Sequence, residues 1–300
     1  MKIAALMLLI LASSEVGMMS ELRKIYQVKN GNGLVSTIFF MVLTMLFATI
    51  SGMFFTGGNI SFSTTSLLFS LLFAFICTVT SILCLVGTAW GNVSIIITCA
   101  SLGKLVLPST YAMIALPEEN VLTIYKALGF LFAFVVLALN FISGKSEKKN
   151  KDAFKFRLAC IIVFFTQGSA LIISSTVTRL GIAVNEFVTQ YNAVSVILMA
   201  IVLFILFLGK RDKFKDEIKS SMSKKSFLII IGYALLSFTS DKFAITCTKM
   251  VPILFQAPVS FCVPIVVLAL IDFLIYKEKP SKRNYIQIAT AFLSCICFMI

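Results

Sequence analysis

The sequence contains no histidine and few charged residues, and both shortages limit what the chain can do. Charged residues make up 13% of the chain, whereas a soluble domain carries about a quarter. The eight cysteines lie inside apolar runs with no CxxC pair, and no histidine is available to complete a typical zinc site. An ordinary soluble domain is therefore excluded, and the cysteines are interpreted as small apolar packing residues.

Hydrophobic residues make up 59% of the 300 residues, and the mean hydropathy is +1.00. Spanning a bilayer core takes roughly 20 apolar residues of helix, and the sequence supplies such runs repeatedly between short polar breaks. Strands of a membrane β-barrel would alternate apolar and polar residues, but a run such as Phe69 to Val86 is apolar on every face. The composition therefore predicts an all-α polytopic membrane protein.

Ten apolar segments are long enough to be membrane helices. They cover about residues 3–20, 34–55, 66–87, 92–115, 121–142, 155–177, 184–208, 226–248, 251–276 and 283–300. The most polar connectors follow the fifth and seventh segments. The first of these divides the chain into five helices and five helices.

The two halves of the chain repeat one pattern. Glu118 precedes Gly129 by eleven residues, and Glu278 precedes Ala289 by the same eleven, each pair lying at the start of the last helix of its half. The halves also begin alike, since SSEVGMMSELRK and TQGSALIISSTVTR both end on a basic residue. Transporters are often two copies of one helical unit. We predict one repeat over residues 1–143, a basic linker over 144–154 and a second repeat over 155–300.

A ten-helix chain with an acidic turn eleven residues before a glycine resembles the drug/metabolite transporter superfamily, in particular its EamA-like members. The chain departs from that pattern at Ala289, where the family usually has glycine, and it lacks the tryptophan-glycine pair common in the first helix. The resemblance implies a secondary transporter of the bacterial inner membrane. Its two halves would be inverted around a central cavity.

Two criteria disagree on the orientation of the chain. Most basic residues lie in the connectors after helices 1, 5, 7 and 9, which the positive-inside rule places in the cytoplasm with both termini outside. The family resemblance implies termini inside. The first segment also has the features of a signal peptide, but cleavage would leave Arg23, Lys24 and Lys29 on a translocated tail. Retention as a first helix is favoured.

Two of the charged residues inside apolar helices are candidates for a functional role. The string around Glu15 resembles the first helix of the small multidrug resistance family, in which a glutamate binds proton and substrate in turn. The alternative is a charge at a helix end that pairs with a lysine. Lys104 lies halfway along the fourth helix, too far from either surface to snorkel easily, so it is expected to face a cavity or an ionic partner such as Glu15.

Neutral amides form the remaining candidate set: Gln167, Gln190, Asn192 and Gln256. Amides between membrane helices usually serve as structural hydrogen bonds, worth about 0.6 kcal/mol on average. Gln256 differs because Pro258 follows it, and a broken helix can expose carbonyl groups to a cavity. The candidates for substrate binding or proton coupling are Glu15, Lys104, Gln167, Asn192 and Gln256.

Three functions are compatible with this pattern. A secondary active transporter, more specifically an exporter coupled to protons or another ion, is favoured because the sequence contains no nucleotide-binding GxxxxGK[ST] motif. A membrane-embedded enzyme lacks an obvious catalytic constellation. A scaffold or sensor requires no repeat. We expect a small-molecule substrate, which is a cation, a zwitterion or a polar metabolite, and neither cofactor, metal nor nucleic acid.

The predicted helix count has a topological consequence. The two lysine-rich connectors are separated by two helices, so they should lie on the same side of the membrane. Single cysteines placed at Lys149 and Lys213, in a chain without its native thiols, should react with an impermeant reagent from one side only. Labelling of the two positions from opposite sides would contradict the count.

Overall fold

The computed structural model describes residues 2–30, 33–58, 63–90, 93–118, 121–143, 153–209, 218, 223–275, 277 and 282–299. Ten helices run through the described residues, and no strand occurs among them. They are α1 (Lys2–Asn30), α2 (Leu34–Phe55), α3 (Thr64–Trp90), α4 (Val93–Ala115), α5 (Ile124–Ser143), α6 (Ala153–Arg179), α7 (Val184–Gly209), α8 (Lys224–Cys247), α9 (Ile253–Leu274) and α10 (Lys282–Met299). The all-helical prediction is confirmed.

The described helices fall where the sequence predicted them, except at the end of α1. That helix continues to Asn30, ten residues beyond the predicted boundary at residue 20. The extension is polar in sequence but is held by contacts from other helices. Tyr26 is fully buried, its ring packs on Phe40 and its hydroxyl donates to the Ser36 carbonyl at 3.3 Å. Tertiary packing therefore overrides the drop in hydropathy.

Six of the ten helices are long and apolar enough to span a bilayer: α1, α2, α3, α6, α7 and α8. The apolar runs found in α4, α5, α9 and α10 are shorter, 10–17 residues over the part of the chain that the structure describes. Glu278, which belongs to the repeated acidic turn, lies outside the described residues. So do residues 144–152 and 210–217 of the two lysine-rich connectors.

The outer surface of the bundle is apolar and its interior holds polar side chains. Large hydrophobic residues are prominently exposed, Phe54 and Ile114 both at 82%. Many hydroxyl side chains instead donate to a carbonyl of their own helix, as Thr49 does to Met45 at 2.8 Å. A hydrocarbon environment rewards both arrangements, because it solvates apolar surface and offers no hydrogen-bond partners. The surface pattern is that of an integral membrane protein.

Each half of the chain packs on the other half through specific helix pairs. Helix α1 lies against α8 and α9, and α6 lies against α3 and α4. Helix α2 contacts α7 and α8, and α3 contacts α7. Helix α5 packs on α10, and α9 bridges α10 and α4.

Glycines allow the closest of these helix approaches. A β-carbon on Gly103 of α4 would overlap the carbonyl oxygen of Phe164 in α6. One on Gly168 of α6 would lie 2.6 Å from the Gly103 carbonyl oxygen, and one on Gly17 of α1 would lie 2.9 Å from a methyl of Val267 in α9. Small residues at such crossings let membrane helices pack backbone against backbone.

The α4–α6 crossing predicts a large effect from one methyl group. Gly103→Ala should lower the free energy of unfolding by about 1–3 kcal/mol, because the rigid backbone of α6 must move away. Thermal unfolding in detergent would show this as a lower Tm. The matched control is Gly232→Ala in α8, where the new β-carbon would come no closer than 3.7 Å to Leu22. Equal Tm values for the two variants would contradict the proposed close contact.

Candidate functional site

A cavity of about 170 Å³ lies between six helices of the bundle. Helices α1, α3 and α4 border it from the first half of the chain, and α6, α8 and α9 border it from the second. Its wall contains two charged, two amide and four hydroxyl side chains: Lys104, Asp241, Gln167, Gln256, Ser13, Ser174, Ser240 and Ser260. Apolar side chains, among them Val16, Phe73 and Leu171, complete the wall.

Lys104 supplies the positive charge of the cavity from the middle of α4. Its side chain is exposed, and no ion pair within 4 Å joins its ammonium to any acidic group that the structure describes. Pro108, four residues later in the same helix, has no N–H to donate to the Lys104 carbonyl. The cavity wall at this point therefore combines a free ammonium with a backbone carbonyl that has lost its helical partner.

Asp241 supplies the negative charge from α8. Its Oδ2 accepts a short hydrogen bond from the Tyr191 hydroxyl of α7. The Tyr191 ring is held in turn by aromatic contacts with Phe73 at 4.7 Å and Phe187 at 5.6 Å between ring centroids. The carboxylate is thus fixed by a buried tyrosine on one side and borders the cavity on the other.

The sequence analysis missed Asp241, although a usable signal was present. An ionisable residue inside an apolar membrane helix is costly, about 2.5–3.5 kcal/mol at the bilayer centre, and it usually faces a cavity or a partner. Asp241 stands next to Lys242 and six residues before the end of α8, which is typical of charges at a helix end. The structure separates the two neighbours, since Lys242 lies 4.7 Å from the ring centroid of Phe55 and does not border the cavity.

Two of the predicted amides, Gln167 and Gln256, border the same cavity as Lys104. Gln256 is 1% exposed and its amide nitrogen donates to the Ala244 carbonyl of α8 at 2.8 Å. Its amide oxygen has no hydrogen-bond partner among the described residues. An unsatisfied buried acceptor costs about 1–3 kcal/mol, so this oxygen has unused bonding capacity at the cavity wall.

Glu15 lies beside the cavity but is not part of its wall. Its neighbours Ser13 and Val16 border the cavity, while Glu15 is 9% exposed and accepts a hydrogen bond at 3.1 Å from Thr239 of α8. Its second carboxylate oxygen, Oε2, is buried with no partner among the described residues. No ion pair within 4 Å joins Glu15 to Lys104.

Asn192 and Gln190 lie away from the cavity. Asn192 is fully buried in α7 and donates to the Val188 carbonyl of its own helix at 2.8 Å. Gln190 accepts hydrogen bonds from Ser66 at 2.5 Å and Ser70 at 3.2 Å, which ties α7 to α3. Gln190 therefore has the structural role that is usual for amides between membrane helices.

Comparison with known proteins adds information on the fold. No protein-family model matches the chain, and no curated protein matches it. A solved structure described as "Crystal structure of protein" is similar over 97% of this chain and 93% of that chain, with a TM-score of 0.70 and 13% sequence identity. At that identity the likeness shows a shared fold and nothing about activity.

The contact between Tyr191 and Asp241 predicts a specific loss of stability. Tyr191→Phe keeps the ring packing but removes the hydroxyl, and should lower the free energy of unfolding by about 1–3 kcal/mol. The measurement is thermal unfolding of the purified chain. Tyr233→Phe in α8 is the matched control, because its ring packs on Phe40 at 5.0 Å but no described group bonds its hydroxyl. Equal losses in both variants would exclude a special role for the Asp241 contact.

Proposed function

We propose that this chain is a secondary active transporter that moves a small organic metabolite or drug across the cell membrane by alternating access. The observation that carries the proposal is the cavity, whose wall holds two opposite charges and two amides at the junction of the two halves. Substrate sites of secondary transporters lie between structural repeats near the middle of the membrane. The resemblance to the EamA-like transporters supports the same function.

The proposed architecture is ten spans in two inverted five-helix repeats. The helix contacts support it. When each helix is replaced by its counterpart in the other half, five helices away in the chain, most pairs of helices in contact become other pairs in contact. The contact α1–α8 becomes α6–α3, α1–α9 becomes α6–α4, and α2–α8 becomes α7–α3. The pairs α2–α7, α4–α9 and α5–α10 become themselves. An approximate two-fold axis between the halves would produce this exchange.

The helices that line the cavity also correspond in pairs between the two halves. Helices α1 and α6, α3 and α8, and α4 and α9 all contribute to it, and each pair contains corresponding members of the two halves. None of its described lining residues belongs to α2, α5, α7 or α10. The cavity thus lies where two repeats would rock against each other.

The energy source that we propose is an ion gradient, with protons as the favoured ion. Two carboxylates are placed to exchange protons during transport: Asp241 borders the cavity, and Glu15 lies next to it with an unpartnered oxygen. Proton release from one of them would alternate with solute binding. Export, and the inner membrane of a bacterium as the location, rest on the family resemblance.

Transport in sealed vesicles tests the proposal. The purified full chain in proteoliposomes should move at least one solute from a panel of amino acids, sugars and cationic dyes when a pH gradient is imposed. Solute flux and internal pH, followed by a trapped dye, should change together. Vesicles in which no solute moves under any gradient would point instead to a membrane enzyme, scaffold or sensor.

The coupling groups are tested by removing their titration. Glu15→Gln and Asp241→Asn keep shape but cannot exchange a proton, so at least one of them should abolish gradient-driven flux. Exchange of solute without a gradient is the measurement that shows whether the variant still folds and binds. Glu186→Gln, in the first turn of α7, is the control and should transport normally. Unchanged coupling in both carboxylate variants would place the coupling site elsewhere.

A further inference from the structure

The cavity is bordered by two opposite charges that form no ion pair with each other. Lys104 comes from the first half of the chain and Asp241 from the second, and both side chains border the same space. No ion pair within 4 Å joins them, and Lys104 has none with any other acidic group that the structure describes. One positive and one negative side chain therefore border the same cavity without an ion pair between them.

From this arrangement we infer that the solute is a small zwitterion with a carboxylate and a primary ammonium group. The carboxylate of the solute binds Lys104, and its ammonium binds Asp241. This inference rests on the proposed transport function and specifies its substrate class.

Electrostatics favours a zwitterion over a solute that carries only one of its two charges. A simple cation gains the attraction of Asp241 but is repelled by Lys104, and a simple anion meets the reverse pair of forces. At the wall of a cavity both forces are screened less than they are in bulk water. A solute that leaves one of the two charges without a partner gains only one of the two attractions and therefore binds more weakly. Only a solute with both charges satisfies both ends.

Hydrogen-bonding capacity at the negative end fits a primary ammonium group. Tyr191 occupies Oδ2 of Asp241, and no described group donates to Oδ1. Gln256 also borders the cavity, but its unpartnered amide oxygen is buried. A primary ammonium group has three N–H donors and can donate to Oδ1 of Asp241. A quaternary ammonium group has none, so a fully methylated analogue would bind less well.

The cavity is large enough for a small organic solute. Its volume of about 170 Å³ is close to that of a cavity of about 150 Å³ that accommodates benzene. A solute of about six to eight non-hydrogen atoms fits such a space. Small α-amino acids have this size and carry both required groups.

Binding to the purified full chain in detergent tests the charge requirement with alanine and its two single-charge analogues. Ethylamine lacks the carboxylate and propionate lacks the ammonium. Calorimetric titration should give a Kd for alanine at least about tenfold below that of either analogue. Trimethylated alanine should also bind more weakly than alanine. Binding of ethylamine or propionate as tight as that of alanine would overturn the inference.

Removing either charge from the cavity wall should shift binding from alanine towards one of its single-charge analogues. Lys104→Gln should weaken alanine binding and strengthen ethylamine binding, each by about tenfold or more, because the repulsion of cations is gone. Asp241→Asn should weaken alanine and strengthen propionate. Lys104→Arg should retain alanine binding. The controls Lys242→Gln and Glu186→Gln, both outside the cavity wall, should keep the preferences of the unmodified chain.

Gains in binding of the single-charge analogues require a folded protein, so misfolding cannot imitate them. If a variant does not fold, the ligand series on the unmodified chain still decides the question. Vesicles separate this inference from the transport proposal. Flux of a cation, sugar or anion without flux of alanine would reject the zwitterion and keep the transporter. Tight alanine binding without flux would keep the binding site and reject transport.

Discussion

A lipid bilayer offers no hydrogen-bond partners, and this constraint determines most of the structure. Backbone groups are satisfied within helices, and hydroxyl groups such as those of Thr49 and Thr176 donate to carbonyls one turn earlier. Some buried polar atoms nevertheless have no hydrogen-bond partner among the described residues, both at the cavity and away from it. Lys104 has no ionic partner in the part of the chain that the structure describes, and the Gln256 amide oxygen accepts no hydrogen bond there. In the proposed transporter, a polar ligand in the cavity would supply the ionic partner that Lys104 lacks.

Close helix packing fixes where that cavity lies. Helices α1 and α6 are each held against two helices of the opposite half, through glycines at their crossings and through hydroxyl contacts such as Thr80 to Thr166 at 2.6 Å. Helices α4 and α9 meet between them, and each carries a proline four residues after a residue of the cavity wall. Pro108 follows Lys104, and Pro264 follows Ser260. Both helices therefore lack one backbone hydrogen bond beside the cavity, which makes bending there less costly than elsewhere along them.

Sequence reasoning succeeded where the signal is local and failed where it is tertiary. Long apolar runs define helices in lipid without any knowledge of their neighbours, so the ten helices were predictable. The polar end of α1 was not, because Tyr26 is buried in a cluster formed with side chains of α2, α7 and α8. Lys104 and the two amides of the cavity were identified as polar residues in apolar helices. Asp241 was not, because its neighbour Lys242 gives the pair the pattern of a helix end, and no sequence rule brings residue 241 to Tyr191.

The separation of Lys104 from Asp241 links binding to movement in the proposed mechanism. The two charges belong to opposite halves of the chain, so rocking of the halves would change the distance between them. Closing the cavity while it holds only water would strip hydration from both charges, which costs several kcal/mol per ion. A bound zwitterion replaces that hydration at both ends and removes the penalty. Closure is then favourable only around a solute, and protonation of a carboxylate offers the second way to remove a charge. Solute and proton thereby become alternative means of crossing the same barrier, which is the condition that coupled transport requires.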